Sequence, residues 1–200
     1  MYTEVLMSYI YCLIGKSGSG KDTVLENLLS SRDIKIKKIV PYTTRPKREN
    51  EIEGVNYHYV SYERMCEMEK DGQIIEKRTY NTIHGEWTYF TSSEEIDNDK
   101  DYIIITTQKA LKHFFNKFGN EKIYVLYLKL DNKERLLRCI ERESRQDTPN
   151  YKEVCRRYIT DEEDFNEDDL STYKNCSVID TNTSSQISTE SIIKIIKQNQ

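Results

Sequence analysis

The glycine-rich run Gly15-Lys16-Ser17-Gly18-Ser19-Gly20-Lys21-Asp22-Thr23 follows directly on the apolar stretch Tyr9-Ile-Tyr-Cys-Leu-Ile14. A strand that ends in such a turn can point backbone N–H groups inward, and the helix that follows offers its positive dipole end to the same place. That chemistry holds phosphate, and Lys21 at the mouth of the helix reaches the terminal phosphates of a nucleotide. Strand, loop and amphipathic helix (Val24, Leu25, Leu28, Leu29) occur in the required order. A plain flexible Gly/Ser turn would leave the lysine without a purpose. The usual pattern places Ser or Thr after the lysine as a magnesium ligand; here Asp22 stands there and Thr23 follows, so either side chain is a candidate for the metal.

Two further groups of charged residues are placed for anion chemistry. Arg45 and Arg48, in Thr43-Thr-Arg-Pro-Lys-Arg48, are three apart in a polar loop, where two guanidinium forks could grip one phosphate. Tyr57 could add a neutral hydroxyl, and the plain alternative is a solvated charge pair. Arginines gather again in Leu137-Arg-Cys-Ile-Glu-Arg-Glu-Ser-Arg145 and Val154-Cys-Arg-Arg157, where pairing with Glu134, Glu141 and Glu143 at helical spacing is the plain alternative. The acidic run from Asp161 to Asp169 reads as a solvated helix face or loop. His58, His84 and His113 form no ligand spacing. The five cysteines (12, 66, 139, 155, 176) lack Cys-x-x-Cys spacing, with Cys12 suited to fill a strand core.

The elements that must position these groups alternate. After the first strand and helix, Ile39-Val40 ends at Pro41, and Tyr57–Val60 reads as a short strand. Ser61 caps a helix that stops at Asp71-Gly72, ahead of the strand Ile74-Ile75-Glu76. Tyr102–Ile105 resumes the core, followed by a helix with Leu111, Phe114, Phe115 and Phe118 that ends at Gly119, and by the strand Ile123–Leu130. Asp131 with Glu134 opens a helix carrying Leu136, Leu137 and Ile140, and Asn150 starts another. Val178-Ile179 and Ser191–Lys197 give a last strand and helix, and Thr181–Thr189 reads as loose. Near-continuous apolar strands alternating with helices predict an α/β fold with a parallel sheet covered on both faces.

The loop together with Thr43–Ser61 resembles the guanylate kinase family, whose acceptor region reads Thr-Thr-Arg-x-Pro-Arg, then Glu, Gly and Tyr-x-Phe-Val-Ser; here Glu51, Gly54 and Tyr57-His-Tyr-Val-Ser61 stand in those places. The resemblance covers about residues 9 to 180. It implies a P-loop NTPase core (1–40, 92–130, 158–200), a small α+β acceptor-binding insertion (41–91) and a helical lid (131–157). It implies that Glu76 accepts hydrogen bonds from a guanine ring. Gly85-Glu-Trp-Thr-Tyr89-Phe-Thr91 resembles the family's Gly-Asn-Tyr-Tyr-Gly-Thr with one extra residue, so Tyr89 and Thr91 become further acceptor contacts. In the lid, Arg145 and Arg156 have the family's separation, with Arg138, Arg142 and Arg157 as rivals one slip away. The implied catalytic set is Lys21, Arg45, Arg145 and Arg156.

Three positions depart from that pattern. Pro41 replaces a serine that meets the purine carbonyl. Ile104-Ile-Thr-Thr-Gln108 replaces Asp-x-Asp-x-Gln, so Thr106 offers only a hydroxyl to the acceptor. Asp22 occupies the metal position and could supply the carboxylate that the strand lacks. The resulting expectation is an ATP- and Mg2+-dependent kinase acting on GMP or dGMP. A kinase for another nucleotide or a ribose phosphate, and a non-catalytic phospho-ligand binding module, remain open beside it. Two hundred residues with net charge −4, no bilayer-length apolar run and no signal-peptide pattern lead us to expect one soluble cytoplasmic domain with no nucleic-acid or membrane partner. The oligomeric state is not legible.

Overall fold

The computed structural model describes residues 8–49, 51–82, 85–97 and 99–200; His84 lies outside them. β1 (Ile10–Ile14) leads through the glycine turn into α1 (Lys21–Ser30) and β2 (Ile36–Lys38). There follow β3 (Tyr42–Thr43), β4 (His58–Tyr59), α2 (Tyr62–Lys70), β5 (Ile74–Thr82) and β6 (Gly85–Ser92). The chain returns with β7 (Asp101–Ile105), α3 (Gln108–Phe118) and β8 (Ile123–Lys129), then α4 (Asn132–Ser144) and α5 (Tyr151–Asp164). A 3-10 turn at Asp168–Thr172, β9 (Cys176–Asp180) and α6 (Ser185–Asn199) complete it.

Five strands form an all-parallel sheet in the order β2-β7-β1-β8-β9. Every residue of β1 is buried, because alternate side chains enter two different cores. Ile10, Cys12 and Ile14 pack with Ile104, Val125, Leu111 and Phe114, under α3. Tyr11 and Leu13 pack with Val24, Leu25 and Leu28 of α1 and with Ile192 and Ile196 of α6. The chain order reverses around β1, so its carboxyl end opens into a crevice between two diverging connections, and the glycine turn lies there.

A second, four-stranded sheet, β4-β3-β6-β5, stands beside the crevice with α2 packed on it through Tyr42, Met65, Met68 and Phe90. The β5–β6 register shifts between Ile74 and Glu76. Ile75 enters the main core, and the irregularity sets the buried Glu76 opposite Thr91 of β6, which donates to it. Without that shift, the regular register would set Glu76 opposite Phe90 rather than Thr91.

Two expectations from the sequence change. Thr181–Thr189 is not loose: Ser184 caps α6 by accepting from Ile187 N–H, Ser188 and Thr189 are buried, and Thr189 Oγ1 accepts from Asn27. A Ser/Thr-rich stretch reads as loop because these side chains bond local backbone, and here that same chemistry builds the start of a helix. In α4, Leu137 and Ile140 are exposed, and the buried positions are Arg135 and Cys139. This helix lies against the polar glycine turn rather than an apolar layer, so the face it buries carries a cation.

The N-terminus of α4 is held by Asp131, whose carboxylate accepts from Lys133 and Glu134 N–H at 2.9 and 3.3 Å. Replacing Asp131 with Ala removes a charged cap and should cost about 1 kcal/mol. For a chain of this size the melting temperature should fall by about 2–4 °C. An unchanged melting temperature would show that the packing of Arg135 alone fixes the helix.

Candidate active site

The turn after β1 approaches its neighbours closely. At Gly15 an added Cβ would sit 2.7 Å from the Leu128 carbonyl oxygen, and at Gly18, where φ is +84°, it would meet the Arg135 carbonyl and Cys139 Sγ at 2.8 Å. Only glycine lets α4 and β8 close on the turn from both sides. Lys21, the first residue of α1, folds back and donates to the Gly15 and Lys16 carbonyls at 2.7 and 3.1 Å. Burial pulls its ammonium below the usual lysine range, against the pull of Asp161 and Asp22 and with the push of Arg142.

The acids at the end of α5 come to this turn. Asp161 accepts from Ser17 N–H at 2.6 Å, and Glu162 accepts from Lys16 Nζ at 2.8 Å. Beneath them Arg135, 1% exposed, pairs with Glu162 and Asp161, donates to the Ser17 carbonyl and stacks on Tyr158 at 4.0 Å. The acidic run is therefore not wholly solvated. Its first two members are anions seated where inward N–H groups and cations gather. Beside them Gly15 and Lys16 still line a cavity of about 390 Å³, shared with Glu76, Arg78 and His113.

The arginines of α4 and α5 divide. Arg145 pairs with Glu141, and Arg156 with Glu153, both exposed and at helical spacing. Arg142 and Arg157 line a small cavity with Ser17, although Arg157 also pairs with Glu153. Arg138 pairs with Glu134. The arrangement thus brings two of the rival arginines beside the turn and leaves Arg145 and Arg156 on the solvent side. α5 runs unbroken past residue 157 to Asp164, so arginines and acids share one helix.

On the other bank, a cavity of about 480 Å³ is lined by Asp22, Pro41, Tyr57, Glu76, Arg78, Tyr89, Thr91 and Thr106 among others. Thr91 Oγ1 donates to Glu76 at 2.9 Å, and Arg78 Nε lies 3.4 Å from the other carboxylate oxygen. Glu76 is therefore a buried cleft carboxylate rather than an ordinary edge-strand acid. Thr106, just past the end of β7, is held there by its N–H, which donates to the Leu13 carbonyl. Burial raises the Tyr57 hydroxyl above its ordinary range, which keeps it a donor.

Arg45 and Arg48 do not sit side by side in that cavity. Arg45 is 3% exposed, and Glu51 takes it bidentately at 2.7 and 2.9 Å while Tyr89 and the Pro46 carbonyl take further N–H groups. Tyr57 and Tyr59 flank its guanidinium. A solvated charge pair therefore does not describe Arg45. Arg48 is exposed, and among the described residues its side chain has no partner, while its N–H donates to Glu51. Hydrogen bonds from Arg45, Arg48 and Tyr59 pull the Glu51 carboxyl down to about 2, and Glu51 in turn raises Arg45.

No group of three or more His, Cys, Asp or Glu side chains among the described residues could hold a metal. Magnesium, which keeps several waters and takes few protein oxygens, fits a site with one exposed carboxylate better than a cage. Asp22, exposed in the first turn of α1 and lining the same cavity as Thr106, is such a carboxylate, with Thr23 next to it. Sequence reading passed over Arg78, Arg135, Asp161 and Glu162. Each is a charged residue among other charges, and only the fold brings it to the crevice.

Two outcomes follow from these pairs. The depressed Glu51 carboxyl gives stability that is fully present above pH ~4.5 and is lost as pH falls through about 2. The urea midpoint difference between wild type and Glu51→Gln should therefore shrink as pH falls below ~4.5; a difference constant down to the acid limit would deny the pair this role. Asp161→Ala should free Ser17 N–H and raise affinity for pyrophosphate by roughly fivefold, on the scale of one charge-assisted hydrogen bond partly replaced by water. Calorimetry showing equal or weaker binding would mean that this carboxylate does not compete for the turn.

Comparison with known proteins bears on this geometry. The family model described as Guanylate kinase matches residues 7–168. A guanylate kinase of Mycoplasmoides gallisepticum is 32% identical over 120 residues, 58% of this chain and 60% of that protein. One of Bartonella henselae is 28% identical over 147 residues, 71% and 64% of the two chains. One of Streptococcus pyogenes is 37% identical over 101 residues, 49% and 47%. The chain thus spans less than two thirds of the length of each of these curated relatives. The crystal structure of guanylate kinase from Anaplasma phagocytophilum shares the fold with TM-score 0.61 at 18% identity, over 98% of this chain and 87% of that one. With its family match running from the first strand through the acids of α5, the chain belongs to the guanylate kinase family.

Proposed function

We propose that the chain is a nucleoside monophosphate kinase that transfers the γ-phosphoryl group of ATP to GMP or dGMP. The observation that carries this reading is a pair of cavities that share the buried Glu76 and Arg78 as lining, one with Gly15 and Lys16 of the glycine turn, the other with Asp22, Tyr57 and Thr106. In this reading Gly15–Thr23 binds the triphosphate of ATP, and 42–92, the second sheet with α2, binds the acceptor. α4 and α5 form the lid, which reaches to Asp164 rather than 157 because the helix continues.

Each residue's part follows from its chemistry. Lys21 Nζ moves its donors from two backbone carbonyls to phosphate oxygens, and Ser17 N–H exchanges the Asp161 carboxylate for another anion. Glu76 accepts from the N1–H and N2–H donors of guanine, the pairing a purine with adjacent donors requires. Tyr57 donates to the acceptor phosphate; Tyr89, which accepts from Arg45, keeps its own O–H to donate. Arg48 brings positive charge to that phosphate, whereas Arg45, clamped by Glu51, shapes the wall and has few N–H groups left to give. Thr106 offers a hydroxyl along the base, and Thr91 steadies Glu76 for it with its own. Asp22, or Thr23 beside it, would hold Mg2+, which when bound neutralises charge on the phosphates. An acceptor phosphate oxygen then attacks the γ-phosphorus in line while ADP leaves. The protein's work is alignment and charge neutralisation, with the lid arginines excluding water as they close.

An ADP-release assay with MgATP across the common nucleoside monophosphates and ribose phosphates tests this. GMP and dGMP should be turned over, and Lys21→Ala should abolish turnover with the fold retained by circular dichroism. Asp22→Asn should raise the magnesium requirement. Turnover of another acceptor only, or ATP binding with no acceptor turned over, would replace this reading with a different kinase or a binding module.

A further inference from the structure

This inference rests on the proposed acceptor and concerns how the base is read. Guanine presents two kinds of edge. N1–H and N2–H need acceptors, which Glu76 supplies, and the neighbouring O6 and N7 need donors. Pro41 lines the cavity and has no donor to offer, and Thr91 already spends its hydroxyl on Glu76. Lys38 spends one donor on the Val55 carbonyl and Asn56 keeps its NH2 donors while its side-chain oxygen accepts from Ile52 N–H, but among the described residues neither is bonded to Glu76, beside which the O6 donor must stand. Thr106 has a single hydroxyl.

Arg78 is different. It stands two residues from Glu76 on β5, so both side chains leave the strand on one face, and it lines the same cavity. Its Nε lies 3.4 Å from Glu76 Oε2, and among the described residues Nη1 and Nη2 have no partner. About half of the side chain is open to the crevice. O6 adjoins N1 on the ring, so the donor for one must adjoin the acceptor for the other, and this pair of side chains has that adjacency.

We propose that Arg78 is a specificity-determining residue: its guanidinium fork reads the O6 and N7 edge of a 6-oxopurine nucleotide while Glu76 reads N1–H and N2–H. An arginine fork on O6 and N7 is the strongest common way to recognise that edge, and it replaces a hydroxyl donor that Pro41 cannot give. Glu76 is held ready for this by two donors, Thr91 and Arg78, so the carboxylate is not left alone in a buried site. The arrangement also selects against adenine, whose 6-amino group would face the guanidinium.

The test is a cycle of one side chain against one base edge. Binding of GMP, 6-thio-GMP and 7-deaza-GMP is measured by calorimetry for wild type, Arg78→Met and Arg78→Lys, and kcat and KM are measured for GMP. 6-Thio-GMP weakens the acceptor at position 6 and 7-deaza-GMP removes N7, while both keep N1–H and N2–H. Arg78→Met should weaken GMP binding on the order of 10- to 100-fold, lose little in kcat, and no longer distinguish the three nucleotides. Arg78→Lys, with the charge but not the fork, should restore only part. An equal loss for all three nucleotides would place the guanidinium on the acceptor phosphate and overturn the inference, as would no loss at all. Failure of the wild type to bind GMP would overturn the functional reading as well; GMP binding without edge-dependent loss would overturn this inference alone.

Discussion

A turn that points its N–H groups inward at the end of a parallel strand must have an anion, and much of this molecule follows from that requirement. Around Gly15–Lys21 stand the dipole end of α1, two lysines and the fully buried Arg135. Positive charge gathered in a half-buried place is costly without a counterpart. The chain supplies the counterpart from α5, where Asp161 and Glu162 meet Ser17, Lys16 and Arg135. The same requirement explains why α4 buries an arginine and a cysteine where its pattern offers two leucines and an isoleucine: the surface it covers is polar backbone. Gly18 lets the helix come that close.

The acceptor side obeys the same rule with a different outcome. Arg45 is matched so fully by Glu51, Tyr89 and Pro46 that it behaves as a strut, tying the loop after β3 to β6. Its aromatic neighbours Tyr57 and Tyr59 cover both the cation and the carboxylate that holds it. Glu76 is matched incompletely, by one hydroxyl and one longer contact to Arg78. An anion or cation with all its partners in place gives shape; one with spare capacity facing a cavity gives recognition.

The sequence carried the layout well. Strong apolar runs and capping residues marked β1, β7, β8 and helices α2 to α5, since hydrophobic period and capping chemistry are local. The glycine turn was legible for the same reason: its signature lies within nine consecutive residues. The roles of charged residues were less legible, because a guanidinium or carboxylate is defined by what faces it. Nothing local separates Arg45, a buried strut, from Arg48, an exposed arm three residues on. Nothing local marks Asp161 among its acidic neighbours, or Arg78 beyond one more basic residue on a strand. Glu76 lay between these cases: its position was readable from the resemblance, whereas the register shift that sets it opposite Thr91 was not.

α5 joins the two halves of the argument. Near its N-terminus Glu153 holds Arg156 and Arg157, and near its C-terminus Asp161 and Glu162 hold the turn. Between Glu153 and Asp161 the helix has no proline or glycine to bend it, so its two ends are joined by one unbroken element. A triphosphate that took Ser17 N–H and Lys16 would remove the contacts that fix the C-terminal end, and the arginines would move with the same rod. The change needs only differential affinity, since the anion replaces the carboxylates on partners already arranged for negative charge. Arg135 would keep Tyr158 and the Ser17 carbonyl through that exchange, so the helix would pivot on a buried cation rather than detach. In the proposed kinase reading, the acids that fill the turn and the arginines of the lid stand at two ends of one helix, and the chain's own carboxylates occupy the place that phosphate would take.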